Sequence, residues 1–146
     1  MRIIIITGPS GSGKTSLAKK LLLELDNCHI LSTDDFYKTG KLSNLLSKFI
    51  ESYFDRGISL NKKLLRQTIN IILRKKEIDY SYKYDFIKKR TEITHKKSLY
   101  IKNLIIEGIF TLELLKFISR NDYLLIRLKT NKEICRKRIY ERDYME

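Results

Sequence analysis

The chain has 146 residues and carries 30 Lys and Arg against 17 Asp and Glu, a formal net charge of +13. This length predicts one domain, residues 1–146, and the 42% hydrophobic and 32% charged fractions are those of a globular protein. No apolar run approaches the roughly 20 residues of a membrane span, and the N-terminus lacks a signal-peptide pattern. We therefore expect a cytoplasmic protein with no membrane partner.

The positive charge is scattered along the chain in doublets and triplets such as Lys62-Lys63 and Lys88-Lys89-Arg90. Such short clusters are typical of solvated helix faces and loops, so we expect no nucleic-acid partner. Cys28 and Cys135 are isolated, without a second ligand at metal-binding spacing, and are predicted to be reduced thiols. A small anionic molecule remains a partner that fits the charge.

Short aliphatic runs alternate with helical patterns along the chain, which is typical of a parallel α/β sheet covered on both faces. The predicted strands are Arg2 to Thr7, His29 to Ser32, Leu99 to Ile106 and Asp122 to Leu128. The predicted helices are Lys14 to Leu25, Leu42 to Tyr53, Asn61 to Arg74, Thr111 to Ser119 and Asn131 to Arg142. The pattern predicts a three-layer α/β/α fold with a parallel sheet.

Residues 8–15 read G-P-S-G-S-G-K-T and match the phosphate-binding pattern G-x-x-x-x-G-K-[ST] directly after the first strand. The glycines let such a loop turn tightly and point its backbone N–H groups inward. In this pattern Lys14 reaches the β- and γ-phosphates and the Thr15 hydroxyl ligates Mg²⁺. The predicted ATP-binding residues of the loop and the first helical turn are Gly8, Ser10, Gly11, Ser12, Gly13, Lys14, Thr15 and Ser16.

Polar side chains follow the other predicted strands at their carboxyl ends, where ligands of open α/β sheets bind. Residues 32–38 read S-T-D-D-F-Y-K, Glu107 ends the third strand, and the last helix carries Arg138 and Arg142. Phosphoryl transfer needs a carboxylate near the acceptor hydroxyl, an acid near Mg²⁺ and cations around the phosphoryl group. Helix capping by the two aspartates and surface pairing of the arginines with nearby glutamates are the structural alternatives.

Four segments together resemble the uridine kinase and phosphoribulokinase-like branch of P-loop kinases, which includes uridine-cytidine kinases and nicotinamide riboside kinases. They are G-P-S-G-S-G-K-T at 8–15, S-T-D-D-F-Y-K at 32–38, L-I-I-E-G-I-F at 104–110 and C-R-K-R-I-Y-E-R-D at 135–143. The first is shared by many NTPases, whereas D-D-F-Y-K followed by an E-G strand end is much narrower. The resemblance implies an ATP- and Mg²⁺-dependent kinase that phosphorylates the 5′-hydroxyl of a nucleoside or related riboside.

The resemblance also implies roles for single residues. Asp34 would be the catalytic base beside Lys14, and Asp34, Thr15 and Glu107 would serve the metal. The residues implied for the acceptor are Tyr37, Asp55, Tyr84 and Phe86. Packing of Tyr37 and a plain turn at Asp55 stay open as alternatives. The family histidine expected shortly after Phe86 is absent, which leaves the base of the acceptor unassigned.

In the family, the sequence R-D is followed by E-R-G-R in a mobile lid, and then by a further helix and strand. The printed sequence ends three residues after Asp143, so the predicted fold lacks the lid and these last elements. Arg138 and Arg142 lie four residues apart on one helix and are predicted to face the ATP phosphates. A nucleotide-binding regulatory module without turnover and a basic NTPase associated with nucleic acid remain alternative functions.

Overall fold

The computed structural model describes residues 1–39, 57–85, 87–88, 90–118 and 122–145. Strands and helices alternate along much of this chain. In order they are β1 (Arg2–Thr7), α1 (Lys14–Glu24), β2 (Cys28–Ser32), a 3-10 helix (Thr33–Phe36), α2 (Lys62–Lys75), β3 (Glu77–Asp85), β4 (Arg90–Tyr100), β5 (Asn103–Glu107), α3 (Thr111–Leu114), β6 (Tyr123–Arg127) and α4 (Lys132–Met145).

A four-stranded parallel sheet in the order β2-β5-β1-β6 forms the centre of the fold. Because side chains alternate along a strand, Ile3 and Ile5 of β1 face the core that contains α2, while Ile4 and Ile6 face α1. All five residues of β5 are buried. The sheet is therefore covered on both faces, which confirms the predicted α/β P-loop fold with a parallel sheet.

Helix α2 shows how local sequence sets an element. The Asn61 side chain accepts a hydrogen bond from the Leu64 N–H at 3.1 Å and so starts the helix. Lys76 ends it in a left-handed conformation, with φ 54°. The apolar positions Leu65 and Ile69 are buried at helical spacing, so the predicted helix is confirmed within one residue at each end.

The prediction of one strand from Leu99 to Ile106 is wrong. Leu99 and Tyr100 belong to the end of β4, and β5 begins only at Asn103. Between them the Ile101 N–H donates to the Lys76 carbonyl oxygen at 2.7 Å, which turns the chain out of β4. The largely apolar run from Leu99 to Ile106, which Lys102 and Asn103 interrupt, therefore contains the junction between two different sheets.

One predicted helix is shorter than expected, and another falls on residues that the structure does not describe. The helix predicted from Thr111 to Ser119 ends at Leu114, and the Phe117 N–H then donates to the Leu114 carbonyl at 2.8 Å in a tight four-residue turn. The helix predicted from Leu42 to Tyr53 lies outside the described residues. Within the described ranges, no helix has the length and apolar character required to cross a membrane.

The antiparallel hairpin β3–β4 is the element that the strand predictions omit. Strand β3 buries Ile78 and Tyr84 against the core, whereas all residues of β4 but one are exposed. Ile93 and Leu99 of β4 are each 56% exposed. The hairpin therefore adds to the fold through one strand and presents the other to solvent.

Candidate active site

The phosphate-binding loop connects β1 to α1 and packs against α4. Gly11 has φ 74°, and a Cβ there would lie 2.5 Å from the Cys135 carbonyl oxygen, so this close approach requires glycine. Helix α4 and the turn before it also hold the loop by hydrogen bonds. Thr130 Oγ1 donates to the Ser12 carbonyl at 3.2 Å, and Arg138 Nη1 donates to the Gly11 carbonyl at 3.4 Å.

A cavity of about 380 Å³ opens over this loop at the carboxyl ends of the strands. It joins side chains from the loop, the 3-10 helix and α4. Its lining residues are Ser10, Gly11, Gly13, Lys14, Thr15, Ser16, Asp34, Tyr37, Ile109, Arg138, Ile139 and Arg142. The structure thus brings most of the residues predicted for ATP and for catalysis to one cavity.

Gly8 and Ser12 do not line the cavity. Ser12 is only 6% exposed, and its Oγ has no hydrogen-bond partner among the described residues. A Cβ on Gly8 would lie 2.8 Å from that Oγ. These two residues therefore form the inner side of the loop, where their size limits how closely the loop packs on the strand ends.

Lys14 is 7% exposed, and its Nζ donates to the Pro9 carbonyl oxygen across the loop at 2.9 Å. Burial lowers the pKa of Lys14, while the nearby carboxylates of Asp34 and Glu107 act against that shift. The ammonium group therefore lies inside the loop it is predicted to serve, close to both acidic residues.

Glu107 is 3% exposed at the end of β5, and two hydroxyl groups contact its carboxylate. Ser32 Oγ donates to Oε1 at 2.7 Å, and Thr15 Oγ1 donates to Oε2 at 3.2 Å. A buried carboxylate requires such partners. These bonds connect the phosphate-binding loop to the ends of β2 and β5.

Ser32 also starts the 3-10 helix, because its Oγ accepts a hydrogen bond from the Asp34 N–H at 3.3 Å. The alternative that Asp34 and Asp35 cap this helix is therefore wrong. A serine directly before a short helix is a recognised cap, so this role was readable from the sequence. The simultaneous hydrogen bond from Ser32 to Glu107, 75 residues away, could not be read from the sequence.

Asp34 lies on the 3-10 helix and lines the cavity. Its pKa is raised by burial and by the neighbouring Glu107, while Lys14 acts in the opposite direction. Gly108 makes this placement possible: its φ is +137°, and a Cβ there would collide with Thr33 Oγ1. The E-G strand end thus lets the 3-10 helix pack directly against the end of β5.

The oxygen atoms of Thr15, Asp34 and Glu107 are hard donors of the kind that Mg²⁺ prefers. Within the described ranges, no group of three or more His, Cys, Asp or Glu forms a metal site. Mg²⁺ bound with nucleotide phosphates needs only one or two carboxylates, because it keeps several waters. The residues present therefore fit a magnesium ion that arrives with a nucleotide.

Tyr37, which is predicted to contact the acceptor, lines the cavity and is 5% exposed. Its ring lies 5.2 Å from the ring of Tyr84 on β3, in an edge-on arrangement. Both packing and a pocket role are compatible with this position. The predicted acceptor residues Asp55 and Phe86 lie outside the described residues.

Ile109, Ile139 and Thr130 contribute to the cavity or its loop but were not predicted. Ile109 directly follows the E-G pair, and Ile139 is adjacent to Arg138 in sequence. An isolated isoleucine carries no sequence signal for a site, since most isoleucines are in cores. Arg138 and Arg142, predicted to face the ATP phosphates, also line the cavity. Glu141 pairs with Lys137 at 3.8 Å.

The loop, the parallel sheet and the acids at its strand ends define a P-loop protein with a kinase fold. A family model described as "AAA domain" matches residues 4–146, so the chain belongs to this AAA-domain family of P-loop proteins. The resemblance to uridine kinases is confirmed by named relatives among the matches.

A uridine kinase of Schizosaccharomyces pombe is 33% identical over 147 residues, which cover 98% of this chain and 32% of that kinase. An adenylate kinase of Acholeplasma laidlawii is 26% identical over 133 residues, which cover 90% of this chain and 59% of that enzyme. The chain therefore spans about a third of the first relative and less than two thirds of the second.

A solved structure of a possible uridine kinase from Bacillus stearothermophilus superposes with a TM-score of 0.63 at 18% identity. The superposition covers 98% of this chain and 79% of that one. At this identity the likeness supports the fold alone. The activity of the chain is therefore a matter for proposal, whereas its kinase-like fold is established.

Proposed function

We propose that this protein is a cytoplasmic kinase that transfers the γ-phosphoryl group of ATP to the 5′-hydroxyl of a nucleoside or related riboside. The observation that carries the proposal is the shared cavity: Lys14 of the phosphate-binding loop and Asp34 of the 3-10 helix line the same 380 Å³ space. A cation for the phosphates and a carboxylate for the acceptor are thus within one site. The uridine kinase relatives support the choice of acceptor.

In this proposal the loop holds the ATP phosphates through its backbone N–H groups and the Lys14 ammonium. Lys14 gives up its bond to the Pro9 carbonyl and turns to the phosphate oxygens. Arg138 and Arg142 approach from α4 and neutralise charge that develops on the transferred group. Thr15, with Glu107 and Asp34 near it, would hold Mg²⁺, which would supply positive charge to neutralise the phosphates.

Asp34 accepts the proton of the acceptor hydroxyl as the hydroxyl oxygen attacks the γ-phosphorus. The bond from that phosphorus to the β–γ bridging oxygen breaks, and ADP leaves with the bond electrons. No covalent enzyme intermediate is required, since positioning and charge neutralisation supply the catalysis. The raised pKa of Asp34 makes its carboxylate a better base than a solvated aspartate.

The experiment is ADP release with ATP and Mg²⁺ across uridine, cytidine, adenosine, nicotinamide riboside, AMP and a reaction without acceptor. We expect release that depends on one or more of the ribosides. Asp34→Asn should leave ATP affinity within a few-fold and lower acceptor-dependent turnover by about 10²-fold or more. Asp79→Asn is the matched control, because Asp79 is an exposed aspartate on β3.

Each alternative gives a different result in this panel. ATP binding without acceptor-dependent release would favour a regulatory nucleotide-binding module. Release with AMP and with none of the ribosides would contradict a nucleoside acceptor. Release stimulated by nucleic acid, with a steep salt dependence, would instead support the basic NTPase. Unchanged turnover in Asp34→Asn would remove Asp34 from the mechanism.

A further inference from the structure

Asp34 and Asp35 are adjacent in sequence but serve different sides of the 3-10 helix. Asp34 lines the cavity, whereas Asp35 Oδ1 accepts a hydrogen bond from the Tyr84 backbone N–H at 3.2 Å. Tyr84 lies on β3, 49 residues further along the chain. The carboxylate of Asp35 therefore ties the helix that carries Asp34 to the β3–β4 hairpin.

Aromatic rings surround this bond and continue to the cavity. The ring of Phe36 lies 5.0 Å from that of Tyr82, and the ring of Tyr37 lies 5.2 Å from that of Tyr84. On its other side, Tyr37 contacts Phe110 edge-on at 6.3 Å. Tyrosine and phenylalanine rings that contact one another thus form a continuous wall from the hairpin to the cavity.

These two kinds of contact constrain the hairpin differently. Ring contacts over 5–6 Å are broad in geometry and tolerate small shifts of one strand along another. A hydrogen bond between a carboxylate and a backbone N–H depends steeply on distance and angle. Among the contacts just described, the Asp35 bond is therefore the one that fixes where Tyr84 stands relative to Tyr37.

We propose that Asp35 is a positioning residue that holds Tyr84 and Tyr37 as the acceptor wall of the site. This inference rests on the proposed function, because it assigns the wall beside Asp34 to the acceptor. It differs from a role in ATP binding, since the phosphate-binding loop is held by Thr130, just before α4, and by Arg138 of α4. Loss of the Asp35 hydrogen bond should therefore change the KM for the acceptor and leave the KM for ATP unchanged.

The test compares three variants of the whole chain. Asp35→Ala removes the acceptor atom, Asp35→Asn keeps an oxygen at the same place, and Asp79→Ala removes an exposed carboxylate from the same hairpin. We expect Asp35→Ala to raise the riboside KM by about tenfold, the scale of one lost charge-assisted hydrogen bond, with the ATP KM within about twofold. Asp35→Asn should restore most of the loss, and Asp79→Ala should match the wild type.

Amide hydrogen exchange at Tyr84 gives a readout that does not depend on turnover. Exchange should be faster in Asp35→Ala than in Asp35→Asn or the wild type. If no riboside is phosphorylated by the wild-type chain, the proposed function fails, and the exchange data still decide whether Asp35 positions the hairpin. Equal exchange in all variants, or equal changes of the ATP and riboside KM values, would overturn the inference.

Discussion

The parallel sheet and the β3–β4 hairpin hold the two sides of the cavity by different means. The sheet presents the phosphate-binding loop from β1, whose residues Ile3 to Ile6 are each at most 4% exposed. The hairpin presents Tyr84 from β3, while its partner strand β4 is almost entirely exposed. Buried strands fix the loop through their backbone register, whereas the hairpin is held through β3 alone, by packing of Ile78 and Tyr84 in the core and by contacts with the 3-10 helix.

Because of this difference, the sheet resists displacement of its strands, whereas the hairpin tolerates small shifts. A strand buried on both faces cannot shift without breaking ladder hydrogen bonds and opening cavities. A hairpin held by rings and one carboxylate can shift at lower cost. We therefore expect changes at the sheet side to affect ATP use and stability, and changes at the hairpin to affect the acceptor.

The largest effect should come from Lys14→Ala, which removes the ammonium group from inside the loop. We expect ATP affinity to fall together with turnover, and turnover to fall by about 10²-fold or more. Isothermal titration with ATP and an ADP-release assay measure the two quantities. Lys19→Ala, an exposed lysine on the same helix, is the control. Wild-type ATP affinity in Lys14→Ala would refute the loop assignment.

Gly108→Ala should have the next largest effect, because the new Cβ would collide with Thr33 Oγ1 and the residue has a positive φ. The 3-10 helix must then move away from β5, at a cost of about 2 kcal/mol in the free energy of unfolding, with reduced turnover. In Gly57→Ala the new Cβ would meet the ends of the flexible Glu113 and Lys62 side chains, so this control should change little. Urea unfolding of both variants makes the comparison, and equal stabilities would contradict the close packing.

Ser32→Ala removes the hydroxyl that joins Glu107 to the 3-10 helix. We expect a loss of about 1 kcal/mol in unfolding free energy and a lower kcat with a smaller change in ATP KM. The matched control is Ser98→Ala, which removes an exposed serine–glutamate bond of 3.0 Å on the hairpin. If the two serine variants behaved alike, the link between β2 and β5 would have no functional role.

Asp35 should also give stability a pH dependence. Burial raises the pKa of Asp35 to about 6, from 3.8 in the unfolded chain. The folded state therefore retains a proton that the unfolded state has lost, so this residue's stabilising contribution declines as the pH rises from about 4 to 7. Asparagine at this position does not titrate, so Asp35→Asn should gain stability relative to the wild type over this range. A constant or opposite difference in Tm would contradict the sign.

The smallest expected effect comes from making the same Ile→Val substitution once in the sheet and once in the hairpin, and comparing the two losses of stability. Ile5→Val in the fully buried β1 should cost about 1 kcal/mol in unfolding free energy. Ile93→Val in β4, where the side chain is 56% exposed, should cost less than about 0.5 kcal/mol. Comparable losses at the two positions would show that the hairpin is as tightly held as the sheet.

The parts of the fold that local patterns encode were predictable. The aliphatic run of β1, the glycine-rich loop and the apolar spacing of α2 each depend on residues close together in sequence. The hairpin was missed because β4 reads R-T-E-I-T-H-K-K-S-L-Y, a largely polar strand without clean alternation. Its last two residues then merge with the aliphatic run that enters β5.

The positions of the candidate site residues in the fold were predictable to a similar extent and for similar reasons. Lys14 and Thr15 follow from one motif, and the resemblance supplied Asp34 and Glu107. The contacts that join them are nonlocal: Ser32 with Glu107 spans 75 residues, and Asp35 with Tyr84 spans 49. A single sequence does not specify such pairs. The roles of all these residues stay predictions, and Asp55 and Phe86 also lie outside the described residues.

The most direct test of the central claim is the fate of the γ-phosphoryl group. The chain is incubated with γ-labelled ATP, Mg²⁺ and each riboside, and the labelled products are separated and identified by mass spectrometry. The account predicts label on the 5′-oxygen of at least one riboside, lost in Asp34→Asn. Label found only in inorganic phosphate, or left entirely in ATP, would contradict a kinase that acts on ribosides.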